Sequence, residues 1–167
     1  MGKGLSFVCK NCGHKYDIHL GSGFFFTEVY ESSIKKIKAG KYGKEWKELI
    51  KSQAYIAVDA EDYLYICNSC GNWKVLQNLS LYAPKKPEEI AYKKYGEQTV
   101  EQLGYVPYVM RHQLKSDYQL LKSYPHNCPK CKKIMSEYSD NDLDHITTLQ
   151  CPKCKTENEV SGLFFWD

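Results

Sequence analysis

Every cysteine of this chain lies in one of four Cys-x-x-Cys clips: Cys9/Cys12, Cys67/Cys70, Cys128/Cys131 and Cys151/Cys154. A dithiol turn of this kind can ligate a metal or cycle as a redox pair. Structural Zn²⁺ takes a closed tetrahedral shell, and one short clip supplies two adjacent corners of it. Eight thiols in four like clips are therefore the donors for two four-cysteine sites, and two Zn²⁺ per chain are expected. Iron is a possible substitute, since the same donors accept it. Redox catalysis is the lesser reading, because the clips pair off and each follows an extended segment rather than opening a helix. A catalytic zinc keeps one position open, which four thiolates do not leave.

The flanks of the clips show which elements must position them. Leu5–Val8 leads into Cys9 and Tyr63–Ile66 leads into Cys67, both short apolar strands, and Gly13 and Gly71 follow the clips where the chain exits through left-handed backbone. Tyr118–Tyr124 reads as a lead-in strand to Cys128, residues 132–138 as a strand, Ser139–Asp142 as a turn, Ile146–Gln150 as the lead-in to Cys151, and Glu159–Trp166 as a closing apolar strand. Nineteen residues separate Cys131 from Cys151, within the usual spacing of a four-cysteine site. The expected pairing is therefore sequential: Cys9, Cys12, Cys67 and Cys70 on one ion, and Cys128, Cys131, Cys151 and Cys154 on the other. Pairing Cys67/Cys70 with Cys128/Cys131 instead would leave the C-terminal unit without an ion of its own.

The 54 residues between the first two clips form an insertion. Thr27 and Glu28 start a helix that carries Val29, Tyr30, Ile34 and Ile37 and ends at Gly40. Lys44–Lys51 is a second helix and Tyr55–Val58 a strand. Pro84-Lys85-Lys86-Pro87 opens a linker, in which Glu88–Tyr95 and Glu97–Leu103 are short helices separated by Gly96, and Val106–Met110 is ambiguous because of Pro107. The expected fold is α+β: two small antiparallel four-cysteine zinc ribbons, the first (residues 1–82) with a helical insertion at about 21–62, a helical linker over 83–117, and a second ribbon over 118–167.

Cys128-Pro129-Lys130-Cys131, Cys151-Pro152-Lys153-Cys154 and the two Cys-x-x-Cys-Gly clips resemble the knuckles of zinc-ribbon, rubredoxin-like proteins. The resemblance covers residues 5–20, 62–82 and 118–167 and implies a three-stranded antiparallel ribbon around each ion. The whole chain is also similar to uncharacterised bacterial proteins with two such ribbons. Neither likeness implies an activity, because ribbons serve in transcription factors, polymerase subunits, ribosomal proteins, enzymes and adaptors.

Other residues invite chemistry with less support. His14 and His126 flank clips and can donate N–H to a thiolate or simply occupy turns; His19, His112 and His145 lie farther away. Asp17, His19, Glu28, Asp59 and Asp62 are the residues from which a hydrolytic site could be built, although no spacing selects them. Phe24–Phe26 and Leu163–Trp166 read as core, with a stacking or hot-spot surface as the functional alternative. Lys3, Lys10 and Lys15, interleaved with Phe7, Tyr16 and His19, form either a small basic-aromatic face or a solvated fringe.

Composition narrows the partners. The net charge is +3, with about +2 over residues 1–20 and about −2 over 128–167, and Arg111 is the only arginine. Bidentate arginine–guanine pairing is the commonest specific base contact, so a protein partner is favoured over nucleic acid. A small-molecule substrate is not expected. No apolar run approaches the roughly 18 residues of a membrane span. The start of the chain lacks a long apolar core, so no secretory signal is expected, and Gly2 with Ser6 meets the myristoylation pattern only superficially. A reducing, cytoplasmic setting is the expectation, and there paired cysteines read as metal ligands. The expected function is a non-enzymatic zinc module that presents a surface to a partner; the alternative is a metal-stabilised, hydrolase-like enzyme with its site in the insertion or linker.

Overall fold

The computed structural model describes residues 2–138, 146 and 148–166. In chain order its elements are β1 (Gly2–Val8), β2 (Lys15–Leu20), α1 (Phe26–Lys38), α2 (Lys44–Leu49), β3 (Ala57–Val58), β4 (Asp62–Ile66), β5 (Trp73–Gln77), β6 (Leu81–Pro84), α3 (Pro87–Ala91), β7 (Lys94–Tyr95), β8 (Gln98–Thr99), α4 (Val100–Leu103), α5 (Arg111–Asp117), β9 (Tyr118–Lys122), β10 (Ser136–Tyr138), β11 (Thr148–Gln150) and β12 (Glu157–Trp166). The structure is mixed α/β with antiparallel sheets. Its chain divides into two units, each assembled from separated segments. No helix among the described residues is long and apolar enough to cross a membrane. The turn expected at Ser139–Asp142 and His145 lie outside the described residues.

The first unit comprises Met1–Phe24, Glu61–Gln77 and Pro125–Asp167. One sheet has the order β11-β12-β1-β2, and a second has the order β10-β4-β5. The ends of the chain are joined directly, since β1 runs antiparallel to β12 from Gly2↔Trp166 to Phe7↔Val160. The glycines of β1 make this pairing possible. A Cβ on Gly4 would lie 2.2 Å from the Phe164 ring, and one on Gly2 would lie 2.4 Å from Trp166, so the aromatic rings lie where side chains would stand. On the other face Leu5, Phe7, Ile18 and Leu20 pack with Leu64 and Leu149. Tyr63, Tyr65 and Met135 pack around Cys67 and Cys128.

The second unit comprises Phe25–Ala60 and Asn78–Tyr124. Its sheet has the order β3-β6-β9, and its core runs from Tyr30 and Ile37 of α1 through Trp46, Val58, Leu81, Val100 and Val109 to Leu114 and Tyr118. In α1 the buried residues Phe26, Tyr30, Ser33 and Ile37 recur every three or four positions, as the sequence period requires. The buried Trp46 indole N–H donates to the Leu79 carbonyl at 2.8 Å, so its one polar group is satisfied.

Several elements differ from the sequence expectation. Residues 83–117, read as a linker, share one core with residues 25–60. The helix expected over Glu88–Tyr95 stops at Ala91, and that over Glu97–Leu103 begins only at Val100. Between them Lys94↔Thr99 and Tyr95↔Gln98 pair as a small hairpin turned at Gly96, where φ is +65°. The glutamates and glutamines of this stretch favour helix, but a left-handed glycine favours the turn. Helix α5 was not expected. Strand β9 falls where a strand was expected, but it pairs with β6 rather than leading into a clip ribbon.

Candidate metal centres

The four clips share one backbone form. In each, the amide of the first cysteine donates to the carbonyl five residues on: Cys9 to His14 (2.9 Å), Cys67 to Asn72, Cys128 to Lys133 and Cys151 to Thr156 (all 2.8 Å). The amide four residues on returns to the first cysteine's carbonyl, from Gly13, Gly71, Lys132 and Lys155 at 2.8 to 3.0 Å. Those four residues all have left-handed backbone, with φ of +69°, +67°, +64° and +66°. Glycine fills the position twice and lysine twice. In every clip the first cysteine is buried and the second is more exposed.

The eight sulfurs gather as Cys9, Cys12, Cys151 and Cys154 in one group and Cys67, Cys70, Cys128 and Cys131 in the other. The sequential pairing expected from sequence is thereby corrected. Strand register is the cause. β1 ends at the first clip and β12 begins after the fourth, so their pairing brings Cys9 and Cys12 to Cys151 and Cys154. β4 pairs with β10 through Ile66↔Ser136, which brings the second clip to the third. The pairing first set aside, Cys67/Cys70 with Cys128/Cys131, is the one formed, and Cys151/Cys154 find their partners at the start of the chain.

The geometry fits a four-thiolate ion. Sulfurs about 2.3 Å from a tetrahedral centre stand about 3.8 Å apart. Across the first group Cys9 and Cys154 Sγ are 3.4 Å apart and Cys12 and Cys151 Sγ 3.8 Å. Across the second, Cys67 and Cys131 Sγ are 3.4 Å apart and Cys70 and Cys128 Sγ 3.6 Å. These separations are far beyond an S–S bond of about 2.05 Å, and all eight thiols are free. Each group can hold a metal ion, and each consists, among the described residues, of cysteines alone.

Surrounding donors favour the thiolates, and at some positions burial and the neighbouring sulfurs outweigh them. The Cys131 amide, with that of Lys130, outweighs burial and lowers Cys128 to about 6. The Thr156 hydroxyl and amide lower Cys154 to about 5. The His14 amide favours the Cys12 thiolate, but burial and the neighbouring sulfurs outweigh it and raise that thiol to about 12. Cys70 is likewise raised to about 11, against the pull of the Asn72 amide. Four sulfurs without a cation cannot all be anionic, and a divalent ion at the centre removes that conflict.

Polar residues that spacing did not single out brace both groups. The Asn72 side-chain amide reaches Cys128 Sγ at 3.8 Å. Buried Asn158 accepts from the Lys10 amide at 3.3 Å and donates to the Thr156 carbonyl at 2.9 Å, tying the first clip to the fourth. Trp73 Nε1–H donates to the Gln150 carbonyl at 2.7 Å, and the Gln150 amide lies against Gly71. Tyr16 donates to the Leu149 carbonyl at 3.2 Å. An Asn or Gln one to four residues from a clip was the available signal, although a weak one.

The other candidate residues disperse. No histidine among the described residues joins either group. The His14 ring stacks on Tyr16, His126 is buried against Tyr65, His19 meets the edges of Phe164 and Trp166, and His112 lies on α5. Asp17, His19, Glu28, Asp59 and Asp62 do not assemble with one another into a metal-ligating group among the described residues. Asp62 is partly buried, which raises its carboxyl, and its backbone bridges Gly21. Phe26 is core, whereas Phe24 and Phe25 are 80% and 67% exposed. Along β12 Leu163 and Phe165 are exposed, while Phe164 and Trp166 cover glycines. Phe7 of the basic-aromatic stretch is buried in a stack with Tyr16, and Lys10 pairs with Glu159. No family model, curated protein or solved structure matches this chain.

Proposed function

We propose that this chain is a non-enzymatic binding module in which both cysteine groups hold a structural Zn²⁺, and that it presents a surface to a protein partner in the cytoplasm. The observation that carries the reading is the all-sulfur composition of both groups at near-tetrahedral spacing. A shell closed by four thiolates leaves no site for water or substrate, so the ion's contribution is folding free energy, of order 10 kcal/mol per site. Cys9, Cys12, Cys151 and Cys154 hold one ion; Cys67, Cys70, Cys128 and Cys131 hold the other. Exposed Phe24 and Phe165, in a chain whose basic residues are lysines but for Arg111, suit a protein surface better than base readout.

Metal analysis of protein purified under reducing conditions is expected to give two zinc ions per chain. One ion or none would reject the two-site reading, and a rubredoxin-like visible spectrum would replace zinc by iron. Capture from the native host is expected to yield a protein that survives nuclease treatment. A salt-dependent shift of mixed oligonucleotides would favour nucleic acid instead. Turnover of phosphoesters or peptides that persists after adventitious metal is stripped would place the chain among enzymes.

A further inference from the structure

The second unit contains a cavity of about 520 Å³, lined by α1, by residues 50–56 and by residues 104–107. This is within the roughly 300–1,000 Å³ of small-molecule sites. Its apolar walls include Ile34, Ile50, Ile56 and Val106. Ile50, Ile56 and Val106 belong to the core of that unit, and Ile34 packs against it, so the floor is preformed. Pro107 stiffens one rim segment, and Tyr55 lines the cavity with φ at +59°. A bulky side chain in that backbone region is strained, and such strain gathers at ligand clamps.

Charge is confined to the α1 side. Glu31, Lys35 and Lys38 line the cavity there, and Glu31 and Lys35 pair at 3.1 Å. One lysine charge is thus in excess beside an apolar floor. A monoanion matches that balance, whereas a dianion would place its second charge against Glu31. We propose that this cavity binds a small carboxylic acid with an apolar body, the carboxylate at Lys38 and Lys35 and the body over Ile34 and Ile56. None of these residues is a cysteine or adjoins a clip, so the site goes beyond the metal-module reading and is tested separately from it.

The test uses the full chain with its metal content measured and the monoanionic fluorophore 8-anilinonaphthalene-1-sulfonate. Saturable binding at one site per chain is expected, displaced by decanoate but at least tenfold less well by decanol. Lys35→Gln/Lys38→Gln replaces two exposed lysines with another good helix former, and it should weaken probe and decanoate at least tenfold while the loss of the Glu31 pair moves the melting temperature by no more than about 2 °C. Amide resonances of residues 34, 55 and 104–106 should shift on adding decanoate. Absence of saturable binding, equal competition by decanol, or less than a twofold change in the double variant would overturn the proposal. None of those results would alter the metal count, so failure here and failure of the zinc reading are distinguishable.

Discussion

Each clip sends one residue into left-handed backbone, and the two chemistries found there make a direct comparison. Gly13 has no atom within 4 Å of where a Cβ would stand, so Gly13→Ala tests backbone strain without a steric clash. It should destabilise the metal-loaded protein by about 1 kcal/mol. Lys132 and Lys155 already bear that strain, at φ of +64° and +66°. Lys132→Gly exchanges it for the smaller entropic cost of glycine and should stabilise by up to about 1 kcal/mol. Thermal unfolding of the loaded variants is the measurement, and opposite signs at Gly13 and Lys132 are the expected outcome. At this scale much was legible. The eight ligand candidates and the turn role of Gly13 and Gly71 follow from residue type, because short-range geometry governs both. The equivalent role of Lys132 and Lys155 was hidden, since lysine gives no conformational signal.

The thiols also set the direction of the pH dependence. With Cys12 raised to about 12 and Cys70 to about 11, each group keeps at least one proton at pH 7 in the metal-free chain, and loading must expel it. Cys128 at about 6 and Cys154 at about 5 are largely thiolate there already and add little proton release. Metal affinity at both groups should therefore rise at least about tenfold per pH unit above neutrality and fall on acidification. Titration against a competing chelator from pH 6 to 8, with proton release measured in two buffers, checks this. An affinity flat across that range would contradict the assignment of Cys12 and Cys70 as protonated.

Among elements, the contact between β5 and β11 is the one with a clear energetic test. Trp73 of β5, three residues past Cys70, donates to the carbonyl of Gln150, which directly precedes Cys151. Trp73→Phe removes the donor and keeps an aromatic ring. The half-buried Gln150 carbonyl then lacks that partner, which should cost about 1–3 kcal/mol. Denaturant unfolding of the loaded protein measures it, and a change below about 0.5 kcal/mol would show that water replaces the indole. The strands beside the clips were legible because short β-branched and aromatic runs mark them. Their partners were not, because pairing such as β1 with β12 joins residues more than 150 apart, and nothing local encodes it. The glycines at 2 and 4 against Phe164 and Trp166 carry that information, but only once the two segments are laid side by side. The hairpin at Gly96 was misread for the opposite reason: its local helix propensity was real and the turn overrode it.

At the scale of the whole molecule the two groups are nested. Sulfurs of the outer group join residues 139 and 145 apart, while those of the inner group join residues 58 and 64 apart. Loop-closure entropy grows as (3/2)RT ln n, so closing the outer loop first costs about 0.7 kcal/mol more than closing the inner one. Closing the inner loop removes about 60 residues from the outer one, leaving about 80. That lowers the outer cost by about 0.5 kcal/mol, or only two- to threefold in affinity. Stronger coupling has to come from the shared packing of the first unit, where Trp73 and Gly71 lie against Gln150 and Tyr16 links the Trp73 ring to Leu149. Because metal binding and folding are one equilibrium in small thiolate units, filling one group orders the wall of the other. Titration of the reduced, metal-free chain with Co²⁺, followed by the thiolate–cobalt bands, should therefore show loading more than tenfold cooperative between the two groups. In Trp73→Phe the coupling should fall towards the two- to threefold supplied by chain entropy, with both groups still filling. Independent loading in the parent chain would mean that the two thiolate groups fold separately, despite the residues that join them.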